Sequence, residues 1–484
     1  MEKNNFYITT TLPYVNAEPH IGFAKEIVEA DVLARFHRER GDDVFFNTGV
    51  DEHGQKIYEK AKELGKDPQG YCDEMAAKFD DLKEALNLSY DNFIRTTDAS
   101  HVTAAQEFWK RCEKNGDVYK KNYKVKYCVG CELEKTDSEL IDGKCPDHPN
   151  AELEIIEEEN YFFRFSKYKD RLLELYENNP DFVKPAKRFN EIKNFIKKGP
   201  QDFSISRLKE KMPWGVSVPE DENQVMYVWF DALVNYISAL GWPSFAKATD
   251  GKPENKENFE KFWPAVQICG KDNLRQQSAM WQAMLLSANL PNSKQVFVNG
   301  FITVDNQKMS KSIGNVISPY EMVEKFGVDA TRYLLLSGAG FGEDFDMTWE
   351  KLTEKYNADL ANGLGNLLSR VITLTQKGNF QFPISNSQSI FNDQFLNSIN
   401  KLELGQALEY IWKIVDKDNK FIGENKPWEL VKTGGQKFEE VMGKLLSDLD
   451  LISQLLIPFM PEASEKIRQA LKNKKTEILF QRIK

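Results

Sequence analysis

Three groups of side chains in this sequence have the types and spacing to do chemistry. Cys128-x2-Cys131 is followed, after thirteen intervening residues, by Cys145-x2-His148. Two such pairs have the spacing of a tetrahedral zinc knuckle, each pair clamping one edge of the ion. Protein would fill all four positions, so a metal there is structural and leaves no place for a catalytic water. Two unrelated cysteine pairs beside a chance histidine fit poorly in a chain with five histidines. The second group is Pro19-His20-Ile21-Gly22, between a short apolar run and an amphipathic one. A turn whose following helix points free N–H groups at it is a ready anion site. His20 can donate a hydrogen bond to a phosphate, and Gly22 lets backbone approach it. Taken alone, a histidine at a helix start is more often a cap or a surface group. The third group is Lys308-Met309-Ser310-Lys311-Ser312. Two lysines three apart can place two positive charges on a polyphosphate, although a short basic loop is otherwise ordinary solvated surface.

These residues need a scaffold, and the chain has material for one. Its 484 residues, 41% hydrophobic and 29% charged, suit about three or four globular domains. There is no leading signal pattern and no apolar run long enough to span a bilayer, so a cytoplasmic protein without membrane contact is expected. A net charge of −10 argues against a general nucleic-acid coat and leaves room for a local basic face. Six cysteines in so long a chain do not make a disulfide scaffold.

Phe6–Thr10 reads as a strand, Ala24–Arg40 as a helix, and Val44-Phe45-Phe46 as a second strand leading into Asp51-Glu52-His53. That is a βαβ unit with parallel strands, and ligands of such sheets sit at the strands' carboxyl ends. The loop at residues 9–20 and Asp51–His53 should therefore converge. Asp51 serves equally as a helix cap or a site residue on local evidence. Helical patterns follow at Tyr71–Asn87 and Ala99–Asn115. From about Asp117 to Asn223 the text reads as an insertion holding the knuckle, with helices near Lys167–Asn178 and Ala186–Lys197. Gln224–Asp231 restores a β-like pattern and passes into a helical segment at Ala232–Leu240. Val266–Gly270 and Gln295–Gly300 read as buried strands around a helix at Asp272–Ala288. A split α/β domain with an inserted module fits best. From Thr348 onward the pattern is helical, with long amphipathic segments at Leu352–Gln376, Gln394–Asn419 and Glu439–Leu456, the signature of a bundle. Gly378–Ser389 reads as an exposed connection and Ile478–Ile483 as an extended tail.

Pro19-His20-Ile21-Gly22 and Lys308–Ser312 together resemble the two signatures of class I aminoacyl-tRNA synthetases. The surrounding text narrows the resemblance. Thr10–Asn16, Thr48–Gly54, Tyr227–Ala232, Gly270-Lys271-Asp272, Lys426-Pro427-Trp428-Glu429 and the single knuckle are similar to the methionyl-tRNA synthetase family. The likeness runs from about residue 5 to the tail. It implies a Rossmann-like parallel sheet split by the zinc-knuckle insertion, followed by an α-helical anticodon-binding bundle. The divisions expected are 1–116 and 224–300 for the two catalytic halves, 117–223 for the insertion, 301–347 for the linking region and 348–484 for the bundle.

The resemblance also implies an activity: ATP-dependent activation of L-methionine, then transfer to tRNA(Met). It assigns His20, Lys308 and Lys311 to catalysis. His20, Gly22, Asp272, Lys308 and Lys311 would bind ATP, with Mg²⁺ accompanying the nucleotide. Leu12, Tyr14, Asp51, Trp229 and Gln277 would surround methionine, Asp51 taking the α-ammonium group. Cys128, Cys131, Cys145 and His148 would hold one structural Zn²⁺. Asn366, Arg370 and Trp428 would read the anticodon by stacking and hydrogen bonding, and a monomer is expected. Two positions depart from the family pattern. Phe23 stands where a second histidine is usual, and Gln276-Gln277 where Phe-His is usual. A small-molecule nucleotidyltransferase would have no use for the bundle. A non-catalytic tRNA-binding protein would have none for Lys308 and Lys311.

Overall fold

The computed structural model of the protein describes residues 3–131, 133–135, 137–146, 148–243, 257–309, 314–338, 342–378, 392–475 and 477–484. In chain order its principal strands are β1 (Asn5–Thr10), β2 (Asp43–Val50), β3 (Asn92–Arg95), β4 (Val118–Cys128), β5 (Glu154–Phe163), β6 (Val183–Lys184), β7 (Val266–Gly270), β8 (Gln295–Asn299), β9 (Ile302–Val304), β10 (Gln307–Lys308) and β11 (Phe345–Asp346). Six of them form one parallel sheet in the order β3-β2-β1-β7-β8-β6. Ile8 sits at the middle, level with Phe46 on one side and Val266 on the other.

Side chains alternate across this sheet with the two-residue period of a strand. Phe6 and Ile8 enter one core and Tyr7 the other; Phe297 enters the first, Val296 and Val298 the second. Both faces are therefore covered, as a parallel sheet requires. The first core holds α1 (Ile21–Glu39) and continues without a break into the C-terminal helices, through Leu334, Leu364, Leu408, Leu446 and Ile467. The second is aromatic and lies under the helix Ala99–Lys114, with Phe108, Trp109, Phe230, Trp242 and Trp281 in mutual ring contact.

The inserted segment is built on the long antiparallel pair β4–β5, which carries the knuckle residues at the far end of β4. It also returns β6 to the main sheet beside β8. Among the described residues no helix is long and apolar enough to cross a membrane.

Several elements differ from the sequence reading. The run Gln224–Asp231 leaves the extended conformation at Met226, and Val228–Ala232 is helical. All of that run but the partly buried Trp229 is buried, which erases most of the periodicity that separates strand from helix. The segment Ala232–Leu240 holds only a single helical turn, Asn235–Ser238. Tyr71–Asn87 is two helices, Pro68–Asp80 and Leu82–Ala85. Asp272–Ala288 begins with a 3₁₀ turn and widens to a π turn at Gln276–Met280 before Trp281–Ser287. Gln394–Asn419 breaks at Leu402, whose φ is 57°, into Asp393–Asn400 and Leu404–Asn425. The sequence reading omitted the helices Pro427–Thr433 and Pro461–Asn473. The tail does lie extended against the bundle, where Asn357 exchanges hydrogen bonds with the backbone of Ile483 at 2.8 and 2.9 Å. Apart from Gly378, the connection read at Gly378–Ser389 lies outside the described residues.

Candidate active site, metal centre and helical surface

Strand order reverses direction between β1 and β7: the chain runs outward to β2 and β3, then returns to β7 and β8 on the other side. Loops leaving the carboxyl ends of strands part at that point and leave a crevice. The loop after β1 and the loop after β2 meet there. Asp51 N–H donates to Pro13 O at 3.0 Å and Val15 N–H to Asp51 O at 3.2 Å, which bridges Tyr14 to Asp51. The expected convergence of the two polar loops is present.

Beside these loops, Tyr14 and Trp229 pack around Tyr227, Val228 and Ala232. Leu12 is buried against Ile94 and Ala239. Asp51 is buried, with the Thr96 hydroxyl and His53 N–H each 3.4 Å from its Oδ1. Gln277 is also buried; it donates to the Tyr236 hydroxyl and accepts from Gln267 Nε2 at 3.0 Å. Its amide is thereby held in one orientation.

One arrangement had no counterpart in the sequence reading. The Asp231 carboxylate is fully buried between two imidazoles, Oδ2 at 2.6 Å from His53 Nδ1 and Oδ1 at 2.9 Å from His101 Nε2. His101 Nδ1 is 2.9 Å from Ser238 Oγ. This bridge ties the Asp51–His53 loop to the helical turn that carries Trp229. The available signal was an acidic residue inside an apolar run, with nothing local to say which of the chain's five histidines would face it. Burial pushes the Asp231 carboxyl up, but His53 and His101 overcome it and hold the pKa at about 2.

On the phosphate side, α1 begins at Ile21, and His20 Nδ1 accepts the Gly22 N–H at 3.0 Å. That leaves Nε2–H as the outward donor of the neutral ring. The His20 pKa lies below its ordinary value through desolvation, with Asp272 raising it and Lys308 lowering it further. Ile21 N–H donates to Ile317 O at 3.2 Å, which fastens the helix start to the segment after the lysine loop. Lys308 lies in β10, paired with Thr303 of β9, and not in a loop as expected. Lys311 lies outside the described residues. Glu26, one turn into α1, accepts the Thr11 N–H at 2.7 Å, and burial raises its carboxyl to about 8. Phe23, on α1, is buried edge-on to Phe79 of the helix Pro68–Asp80, their ring centroids 5.7 Å apart.

Cys128, Cys131, Cys145 and His148 do come together, their ligand atoms all within 4.8 Å of one another. The Cys131–Cys145 sulfurs are 3.4 Å apart, and His148 Nδ1 lies 3.2 Å from Cys131 Sγ and 3.9 Å from Cys128 Sγ. Tetrahedral zinc–thiolate geometry has edges of about 3.8 Å, so one ion fits the donor set. A Cβ on Gly130 would sit 2.4 Å from His148 Cγ, so the ring reaches the cysteines only because that position is glycine. In the bundle, Asn366 and Arg370 are one turn apart on the helix Asn366–Lys377, and the Arg370 guanidinium lies 5.9 Å from the ring centroid of Trp428, which is 42% exposed.

A doubly covered parallel sheet, a helix starting at its switch point and a hairpin carrying Lys308 after β8 make the framework expected of a class I aminoacyl-tRNA synthetase. The profile of the family described as "tRNA synthetases class I (M)" matches residues 6–154 and 148–372. The methionine–tRNA ligase of Clostridium acetobutylicum is 43% identical over 97% of this chain and 74% of its own length. That of Nostoc sp. is 42% identical over 97% of this chain and 90% of its own. Among solved structures, Mycobacterium tuberculosis methionyl-tRNA synthetase in complex with methionyl-adenylate superposes with a TM-score of 0.88 at 36% identity, over 96% of this chain and 93% of the other. The chain belongs to the methionyl-tRNA synthetase family.

The Asp231 bridge has a pH signature. Its pKa is depressed from 3.8 to about 2, so its ionised form contributes stability that is fully present above 3.8 and is lost as pH falls through about 2. That shift corresponds to roughly 2 kcal/mol. Asp231→Asn offers one acceptor oxygen where two imidazoles need partners, and should destabilise by about 1–3 kcal/mol at neutral pH. It should also flatten the acid limb of the stability curve. Denaturant unfolding at stepped pH checks this; an unchanged acid limb would contradict it.

Proposed function

We infer that this chain ligates methionine to tRNA(Met) in two steps. In the first, the methionine carboxylate attacks the α-phosphorus of ATP in line. The bond from that phosphorus to the bridging oxygen breaks, and pyrophosphate leaves with the electron pair. In the second, the 2′-hydroxyl of the terminal adenosine attacks the adenylate carbonyl and AMP departs. Neither step needs covalent help from the protein; both need positioning and charge stabilisation.

The observation that carries this reading is the Tyr14–Asp51 bridge. It supports placing an ammonium-binding carboxylate and a ring suited to a thioether beside the helix start that begins with His20. Leu12, Trp229 and Gln277 complete the methionine side. Gly22, Asp272, Lys308 and Lys311 serve ATP, with Mg²⁺ bound mainly through the phosphates. The lysines stabilise the departing pyrophosphate. The Cys128, Cys131, Cys145 and His148 cluster holds one Zn²⁺, which would supply a fixed fold at the tip of the insertion. Asn366, Arg370 and Trp428 form the anticodon-reading surface.

Two measurements test this. Incorporation of labelled pyrophosphate into ATP should require methionine and fall by about 10²-fold or more in Lys308→Ala, the scale of losing one group that stabilises developing charge. Exchange driven equally by leucine, or proceeding with no amino acid, would contradict the assignment. For the metal, the purified chain should carry one zinc ion and Cys145→Ser should lose it. Full zinc retention by that variant would remove Cys145 from the ligand set.

A further inference from the structure

Phe301 stands where the catalytic sheet hands over to the lysine hairpin, between the end of β8 and the start of β9. The backbone of residues 343–344 passes close there: a Cβ on Gly300 would lie 2.2 Å from Glu343 O. The Phe301 N–H donates to Asp344 Oδ1 at 2.9 Å. Lys271, next to Asp272 after β7, reaches both Asp344 oxygens at 2.7 Å. Its ammonium also lies 4.0 Å from the centroid of the Phe301 ring. The ammonium of Lys308 lies 4.9 Å from the same centroid. One ring thus faces two lysines, one from the loop after β7 and the other from the hairpin that follows β8.

The two lysines are not equivalent. Asp344 offsets the charge of Lys271. Lys308 is exposed, and among the described residues it has no carboxylate within ion-pair distance; the ring is what its ammonium rests on. An aromatic face attracts a cation through its quadrupole while carrying no net charge. A carboxylate in its place would hold the lysine more tightly and repel a polyphosphate. The ring can hold the ammonium near His20, whose pKa senses Lys308, and release it to phosphate oxygens.

We propose that Phe301 is a positioning residue of the activation step: its ring holds Lys308 at the approach to the phosphate site until ATP takes the ammonium over. The proposal rests on the role given above to Lys308. Phe301→Leu keeps apolar bulk and removes the ring face, whereas Phe301→Tyr keeps the face.

In methionine-dependent pyrophosphate exchange, Phe301→Leu should raise KM for ATP and lower kcat/KM by roughly two- to fivefold, the scale of one exposed cation–π contact. Methionine affinity, read by tryptophan fluorescence, should stay at the native value. Phe301→Tyr should behave as the native protein. In a Lys308→Ala background, Phe301→Leu should have no further effect, because the group it positions is gone. Native kinetics in Phe301→Leu would overturn the proposal, as would equal impairment in Phe301→Tyr. A matching loss of methionine affinity in Phe301→Leu would mark a structural role and overturn it too. If Lys308→Ala itself exchanges normally, the assignment of Lys308 fails instead; if it is impaired while Phe301→Leu is native, only the positioning role fails.

Discussion

The structure depends most on one buried ion pair, Asp31 with Arg332. Both side chains are fully inaccessible, 2.7 Å apart. Asp31 stands in the middle of α1 and also takes Arg35, the Ser89 N–H and the Ser89 hydroxyl. Arg332 spends its remaining donors on backbone carbonyls: Phe459 at 2.8 Å, Pro458 at 2.9 Å and Leu86 at 3.0 Å. Burial works against the Asp31 carboxylate, yet Arg332 and Arg35 hold its pKa below the ordinary value. A pair like this is costly to bury and worth little net, but breaking it by removing one partner costs about 3–5 kcal/mol. Its consequence is geometric. The guanidinium joins three chain segments to one carboxylate and fixes α1 against the turn between the last two helices of the bundle.

That fixture matters because α1 begins at His20. The apolar core runs unbroken from β1 through α1 into the helices that carry Arg370 and Trp428. The phosphate end of the crevice and the helical surface are therefore parts of one packed body. The amino-acid side is tied in by a separate device, the Asp231 bridge to His53 and His101. Lys308 is held more weakly, by an exposed contact with a ring. The gradation suits the proposed chemistry: the loops proposed to bind methionine are fixed by buried charge, and Lys308, proposed to move onto phosphate, is not.

The sequence made some of this legible and hid the rest for physical reasons. The knuckle was readable because metal geometry demands a spacing, and the four residues do converge. β1, α1 and β2 were readable because a short apolar run and a 3.6-residue period survive in the text. Val228–Ala232 was misread because a segment buried on nearly all sides has little period to show. Glu26, Glu29 and Asp31 are buried acids on a helix, and local pattern places such residues in solvent. Their local partners, Lys25 and Arg35, do not explain the burial; partners distant in the chain, Asn299 for Glu29 and Arg332 for Asp31, complete it. Asp231 escaped for the same reason, since each of its histidines is over a hundred residues away. Phe23 looked like a missing phosphate donor and is a core residue against Phe79, a contact set by a helix further along the chain.

We propose that one continuously packed chain joins an activating crevice to a tRNA-reading surface. The most direct test is ATP-dependent attachment of labelled methionine to tRNA(Met), measured alongside pyrophosphate exchange in the native chain and in Trp428→Ala. The native chain should charge tRNA(Met), and Trp428→Ala should lose most of that charging while keeping exchange. Exchange without any charging by the native chain, or undiminished charging by Trp428→Ala, would contradict it.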